Sequence, residues 1–300
     1  MKKSLVLILI AFGFQCAFSQ SAGLSGLSFL KIGVGARNIA LGDNGTTSAN
    51  DATSIFYNPA NLASAKGNEI FIMHNQWVQD VSAEALAVKF DLWGQPIGLG
   101  INSTNANNID IYPSAGDKIG TFDAHYFSGA LGTGFQLTDN LNAGFAFKFL
   151  YENMLSDDAQ GYGFDFGVTY NNIIKDLSVA AAMKNLGSMT ELRNEKTKLP
   201  TELRFGALYN LPEYDALFAS SASVEYQKYT ATTDSHVNFG VETTYKSMFA
   251  IRIGYMTMYE AKGFTAGFGV KWNIVNVDYA FSPFKYDLGS SHTVSVKAAL

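Results

Sequence analysis

Four histidines, His74, His125, His236 and His292, are the side chains best suited to neutral nitrogen ligation, and they are scattered along the chain. Their spacing brings no two onto one face of an element, so the sequence predicts no metal site. Each reads instead as a polar lumen or interface residue. Asp157 and Asp158 offer the paired oxygens that calcium takes, but they fall in what reads as a solvated loop. A serine nucleophile on a sharp elbow needs Gly-x-Ser-x-Gly; Gly23-Leu24-Ser25-Gly26 comes nearest and misses the spacing. No catalytic residue, metal or cofactor is expected, and the chain does not read as an enzyme.

The elements around these residues point elsewhere. Met1, Lys2 and Lys3 precede the apolar run Leu5 to Phe14 and the small-residue site Ala17-Phe18-Ser19, the three-part pattern of a secretory signal peptide over residues 1–19. Cys16 lies inside that leader. The preceding Gly13-Phe14-Gln15 lacks the small residue a lipoprotein site wants next to its cysteine, so the exported chain is expected to have no thiol chemistry. Acidic residues outnumber basic ones 26 to 21, which disfavours a nucleic-acid partner. Charged residues make up only 16% of the chain against 14% aromatics. That is too little charge to cover an ordinary soluble surface.

From about residue 68 onward the chain alternates apolar with small or polar positions, the period of strands. Val237, Phe239, Val241, Thr243 and Tyr245 share one face, while Asn238, Gly240, Glu242, Thr244 and Lys246 share the other. Phe249, Ile251, Ile253 and Tyr255 oppose Ala250, Arg252 and Gly254 in the same way. Turn-like breaks such as Thr138-Asp139-Asn140 and Lys246-Ser247 separate the runs. Segments begin near residues 68, 82, 96, 121, 140, 160, 175, 200, 215, 234, 248, 262, 275 and 290, about fourteen strands. A soluble sandwich would alternate too, but the leader, the low charge and an inner face of Gly, Asn, Lys, Glu and Thr favour a barrel with lipid outside and polar groups within. The expected architecture is an all-β transmembrane antiparallel barrel over 68–300. Trp77, Trp93, Tyr112, Tyr170, Tyr209, Tyr229, Tyr245, Tyr259 and Tyr286, near strand ends, are the candidate aromatic girdles. Residues 20–67 lack the alternation and carry helix-like stretches at Ala36 to Leu41 and Asp51 to Tyr57, which suits a plug folded into the barrel mouth.

Within that segment the chain reads Gly33-Val34-Gly35-Ala36-Arg37-Asn38-Ile39-Ala40-Leu41-Gly42-Asp43, then Asn50-Asp51-Ala52-Thr53-Ser54-Ile55-Phe56-Tyr57-Asn58-Pro59-Ala60-Asn61-Leu62-Ala63. This resembles the N-terminal signature of the PorV/PorQ family, outer-membrane proteins related in fold to the FadL fatty-acid transporters. Gly35, Ala36, Arg37, Gly42, Asp51, Asn58, Pro59 and Ala60 carry the match. The resemblance implies a fourteen-strand FadL-like barrel in the cell outer membrane. It also implies association with type IX protein secretion, docking exported cargo or machinery subunits as a monomeric barrel within a larger assembly, with outer-membrane lipid around it. The alternative is a FadL-like transporter of hydrophobic small molecules. The segment from Gly187 to Thr201, with Glu191, Arg193, Glu195, Lys196 and Lys198, reads as an exposed loop of the kind docking needs. On physical grounds, Arg37 can pair with a carboxylate such as Asp51 to pin the plug, and Asn58-Pro59-Ala60 should stop a short helix. Such a plug is either a fixed stopper or a gate.

Overall fold

The computed structural model describes residues 26–113, 116–212, 215–232 and 234–300. The leader, Cys16 and Gly23-Leu24-Ser25 lie outside the described residues. In chain order the strands are β1 (Glu69–Gln76), β2 (Val81–Leu92), β3 (Gln95–Ile111), β4 (Gly120–Gln136), β5 (Leu141–Met154), β6 (Asp157–Ile174) and β7 (Leu177–Met189). A small hairpin of β8 (Glu191–Leu192) and β9 (Glu195–Lys196) follows. The remainder are β10 (Glu202–Asn210), β11 (Phe218–Tyr229), β12 (Ser235–Tyr245), β13 (Phe249–Met256), β14 (Phe264–Trp272), β15 (Val275–Pro283) and β16 (Ser290–Ala299). Leaving out the hairpin, fourteen strands close into one antiparallel barrel, each beginning within three residues of its expected start. Closure is made by β1 against β16, from Glu69 opposite Ala299 to Gln76 opposite His292. A closed ladder leaves no edge whose backbone groups would go unpaired in lipid.

Alternation sorts the two faces as expected. In β13, Phe249, Ile251, Ile253 and Tyr255 are exposed on the outside, while Ala250, Arg252, Gly254 and Met256 are buried within. The same outward apolar set recurs as Phe145, Phe147 and Phe149 on β5 and Phe164 and Phe166 on β6. One rim carries tight turns, with positive φ at Trp93-Gly94 and at Lys246-Ser247. The other carries the long connections 112–119, 190–201, 257–263 and 284–289. Short turns mark the periplasmic rim of such barrels and long loops the outer one. No helix among the described residues is long and apolar enough to cross a membrane.

Several expectations need correction. Trp93, Tyr112 and Tyr286 are exposed at strand ends, but Tyr229 is buried and turned into the lumen, and the Tyr259 hydroxyl donates inward to Gln227 at 2.9 Å. Tyr229 sits on the inner phase of β11 and Tyr259 lies in the connection after β13, which a count of aromatics near strand ends does not distinguish. Asp157 opens β6 and is held by Arg193 at 2.8 Å, so no open carboxylate pair forms there. The segment Gly187–Thr201 is not a freely exposed loop. Its first residues finish β7, and Leu199 and Pro200 are buried, folding the segment inward over the mouth while its charged residues face out.

Candidate functional site

Residues 26–68 thread the lumen from one rim to the other. At the long-loop rim the Gly26 amide donates to the Lys198 carbonyl at 3.0 Å, and at the short-turn rim Lys89 Nζ donates to the Gly67 carbonyl at 2.8 Å. Between them lie two short helices, α1 (Ala36–Ala40) and α2 (Ser54–Tyr57), and a 3₁₀ turn over Pro59–Ala63.

The eight signature residues all sit in this thread. Gly35 starts α1 at φ 90°, a backbone that L side chains avoid. The fully buried Ala36 donates its amide to Ser295 Oγ at 3.2 Å. Arg37 makes the bidentate contact its type suggests, but with Glu242 rather than Asp51. Nε and Nη2 meet the two Glu242 oxygens at 3.0 and 2.8 Å, and Nη1 donates to the Ser48 carbonyl at 2.8 Å. Asp51 faces Lys297 instead, at 2.7 Å, and accepts from the Thr53 amide at 2.9 Å. Burial on its own would raise the Asp51 carboxyl, but Lys297, the Thr53 hydroxyl and Arg37 outweigh it and hold the group at about 2. Gly42, at φ 77°, passes so close to β12 that a Cβ would stand 2.8 Å from the Phe239 carbonyl.

Asn58 breaks α2 as the Asn-Pro order demands, turning to an extended φ of −154°. Its Oδ1 then caps the 3₁₀ turn by accepting from the Ala60 amide at 3.1 Å, with Pro59 at the first position, where its missing amide costs nothing. Its Nδ2 donates to the Thr46 carbonyl and Thr169 Oγ1, both at 2.9 Å, tying plug to wall. Ala60 packs against Gly144 of β5 so closely that a Cβ on Gly144 would overlap the Ala60 amide. A Cβ on Gly134 would likewise stand 2.6 Å from the Ala63 amide, and Gly98, Gly100, Gly167, Gly240, Gly254 and Gly267 also carry no side chain where plug meets wall. The polar and glycine-rich inner face is thus a fitted socket rather than a water-filled bore.

Reading the sequence missed a second set of anchors. Arg204 on β10 is buried among Asp43 (3.2 Å), Glu202 (3.1 Å) and Glu225 (2.8 Å), and Lys184 adds to Glu202 at 2.8 Å. Glu225 accepts the Gly45 and Thr46 amides at 3.1 and 2.9 Å. Tyr57 donates to Asp43 at 2.6 Å. Burial, then the Asp43 carboxylate, push its phenol well above its ordinary value, so the donor is kept. The inward phase of charges on β10 and β11 was the available signal.

Nearer the long-loop rim the lumen changes character. Leu27 and Phe29 fill an apolar compartment formed by Leu150, Ala159, Met189 and Leu199, with Tyr126 stacked on Phe29 at 5.5 Å. The wall beside it is irregular. The β6–β7 register shifts across Asp165, a local disruption of the kind a bulge makes. There Asn185 takes φ 58° and donates its amide to the Asp165 carboxylate at 2.8 Å instead of to a strand. The β7–β10 ladder stops at Lys184 opposite Glu202. Beyond it, Asn185 Nδ2 donates to the Pro200 carbonyl at 3.2 Å, its carbonyl accepts from the Thr201 hydroxyl at 2.8 Å, and its Oδ1 accepts from Lys148 Nζ at 2.8 Å. Two voids beside the plug hold about 20 Å³ each, room for one water. The lumen is shut.

No protein-family model matches the chain, and no curated protein does. Solved structures do match over nearly the whole barrel. The monoaromatic hydrocarbon channel CymD aligns with a TM-score of 0.62 at 12% identity, over 89% of this chain and 98% of that one. The Pseudomonas putida toluene transporter TodX aligns at 0.59 and 12%, over 89% and 96%. A Pseudomonas aeruginosa FadL homologue aligns at 0.54 and 10%, over 85% and 95%. At such identities the likeness is one of fold. The chain therefore has the FadL-like architecture of outer-membrane barrels, a closed fourteen-strand antiparallel barrel around an N-terminal plug.

Proposed function

We propose that the protein is an outer-membrane conduit for small apolar molecules, held shut in this state by its own N-terminal segment. The observation that carries this reading is the apolar compartment under the long-loop rim. It is lined for an apolar guest, filled by Leu27 and Phe29, and set against a stretch of wall where β7 runs on past the end of β10 and is paired to β6 alone. A guest that displaced Phe29 would find an apolar chamber with a side seam opening toward lipid, and would not have to pass the ion-paired plug below. The fold shared with CymD and TodX, whose names record monoaromatic hydrocarbons and toluene, supports the same reading.

A docking role in type IX secretion drew on the signature over 33–63 and on an exposed loop at Gly187–Thr201. The signature residues are engaged inside the barrel, and the loop folds over the mouth with its charged residues facing out. The conduit is tested by comparing uptake of radiolabelled toluene in cells whose outer membrane contains the protein and in otherwise identical cells without it. Faster uptake with the protein is expected. Equal uptake, with cargo export lost in its absence, would return the docking role to first place.

A further inference from the structure

Among the described residues, every buried carboxylate but one is matched by a cation or a backbone amide. Asp43, Asp51, Asp165, Glu202, Glu225 and Asp278 each hold a cation at 3.2 Å or less, and Glu69 accepts the Ala52 amide at 2.8 Å. The exception is Glu152. It is 4% exposed, forms no ion pair among the described residues, and takes one neutral donor, the Thr197 hydroxyl at 2.7 Å. Strand register puts this carboxylate in the wall of the upper chamber. Glu152 stands opposite Tyr126 on β4 and opposite Ala159 on β6, and it follows Leu150 by two positions on the inward face of β5. Tyr126, Ala159 and Leu150 all belong to the cluster around Leu27 and Phe29. Thr197 lies beside the same stopper, so close to Gly26 that a Cβ there would overlap its methyl group. A carboxylate with a single hydroxyl donor is costly in an apolar compartment, and the side chains of Leu27 and Phe29 offer it none.

We infer that Glu152 is the recognition group for a guest that carries an amine on a short alkyl arm of an aromatic ring, bound as its ammonium. The room is that of the stopper itself. A ring in the place of Phe29 stacks on Tyr126, whose direct cross-strand neighbour is Glu152. An ammonium one carbon from that ring supplies three donors and the charge that Glu152 lacks. The inference rests on the upper chamber being the guest site proposed above, and it narrows the guests that chamber prefers.

The test is calorimetric titration of the full-length protein in detergent at neutral pH, native and as Phe29→Ala, with benzylamine and its neutral isostere benzyl alcohol. Phe29→Ala removes a side chain of the same carbon skeleton as the probes and so opens a place for them. In that variant benzylamine is expected to bind about tenfold more tightly than benzyl alcohol, the scale on which a charge-assisted contact exceeds a neutral one. The native chain should show the same order at weaker affinity, because Phe29 must first be displaced. Adding Glu152→Gln should erase the preference while benzyl alcohol binding is kept. Heat-modifiable gel migration checks that each variant is a folded barrel, and Glu152→Leu, which suits an apolar wall, serves if the glutamine form fails to fold. Equal binding of the two probes, binding of neither by the native chain, or a preference that survives in a folded Glu152 variant would overturn the inference. Loss of the preference with toluene uptake still raised by the protein would leave the conduit standing. A benzylamine preference with toluene uptake unchanged would sink the conduit and leave the carboxylate site in place.

Discussion

Arg37 shows what one residue contributes here and how far its role could be read. A glycine-flanked arginine entering a barrel is recognisable as a clamp from its own neighbours. Its partner Glu242 lies 205 positions away and is brought to it by strand register, which no local pattern encodes. The same holds for Asp51 and Lys297, 246 positions apart. Removing the clamp as Arg37→Ala would leave Glu242 with only Arg252 and the Ser48 carbonyl without its donor. A loss of stability on the order of 2 kcal/mol is expected, read by thermal unfolding in detergent; Arg37→Lys, without the planar fork, should recover only part of it. The Asp51 contact sets a pH limit. A carboxyl near 4 in the unfolded chain and about 2 in the folded one contributes stability that is complete above pH 4 and lost as pH falls through 2. Planar-bilayer conductance should therefore stay closed from neutral pH down to about 4 and rise only in stronger acid. Asp51→Asn, which keeps the shape and removes the charge, should flatten that dependence, and an acid-induced opening that persists in it would assign the effect elsewhere.

Among the elements, strands were the most legible. β13 to β16 stand where the alternation put them because a wall that is lipid on one side and socket on the other must repeat every two residues. The break at Asp165 and Asn185 was not legible. It depends on a left-handed asparagine and on β10 starting late, and β7 on its own reads as an ordinary strand. The wall glycines were visible as an inner-face preference, but their purpose emerges only when the plug is in place. Gly144 and Gly163 separate the two uses of glycine. Gly144→Ala drives a Cβ into the backbone of Pro59 and Ala60, whereas Gly163→Ala meets its nearest atoms at 3.8 Å, an ordinary contact. Overpacking of this kind costs roughly 1–3 kcal/mol. Gly144→Ala should accordingly lower the midpoint of thermal unfolding or loosen the plug to protease, and Gly163→Ala should do neither; equal behaviour of the two would contradict the socket.

The whole molecule is a barrel divided by depth. Its lower lumen is ion-paired and packed to water-sized voids, and its upper lumen is an apolar chamber stoppered by Leu27 and Phe29 beneath the Gly187–Thr201 cover. A stopper of two apolar side chains is a much weaker closure than the network below it, which is the arrangement expected if small apolar solutes are to enter while ions are kept out. The most direct measurement is toluene uptake and ion conductance in parallel for the native chain and for Phe29→Ala. Phe29→Ala is predicted to raise toluene uptake severalfold while conductance stays at the closed level, because the plug at Arg37, Asp51 and Asn58 is untouched. Uptake that is no faster in Phe29→Ala, or that rises only together with ion conductance, would contradict an apolar route that bypasses the plug.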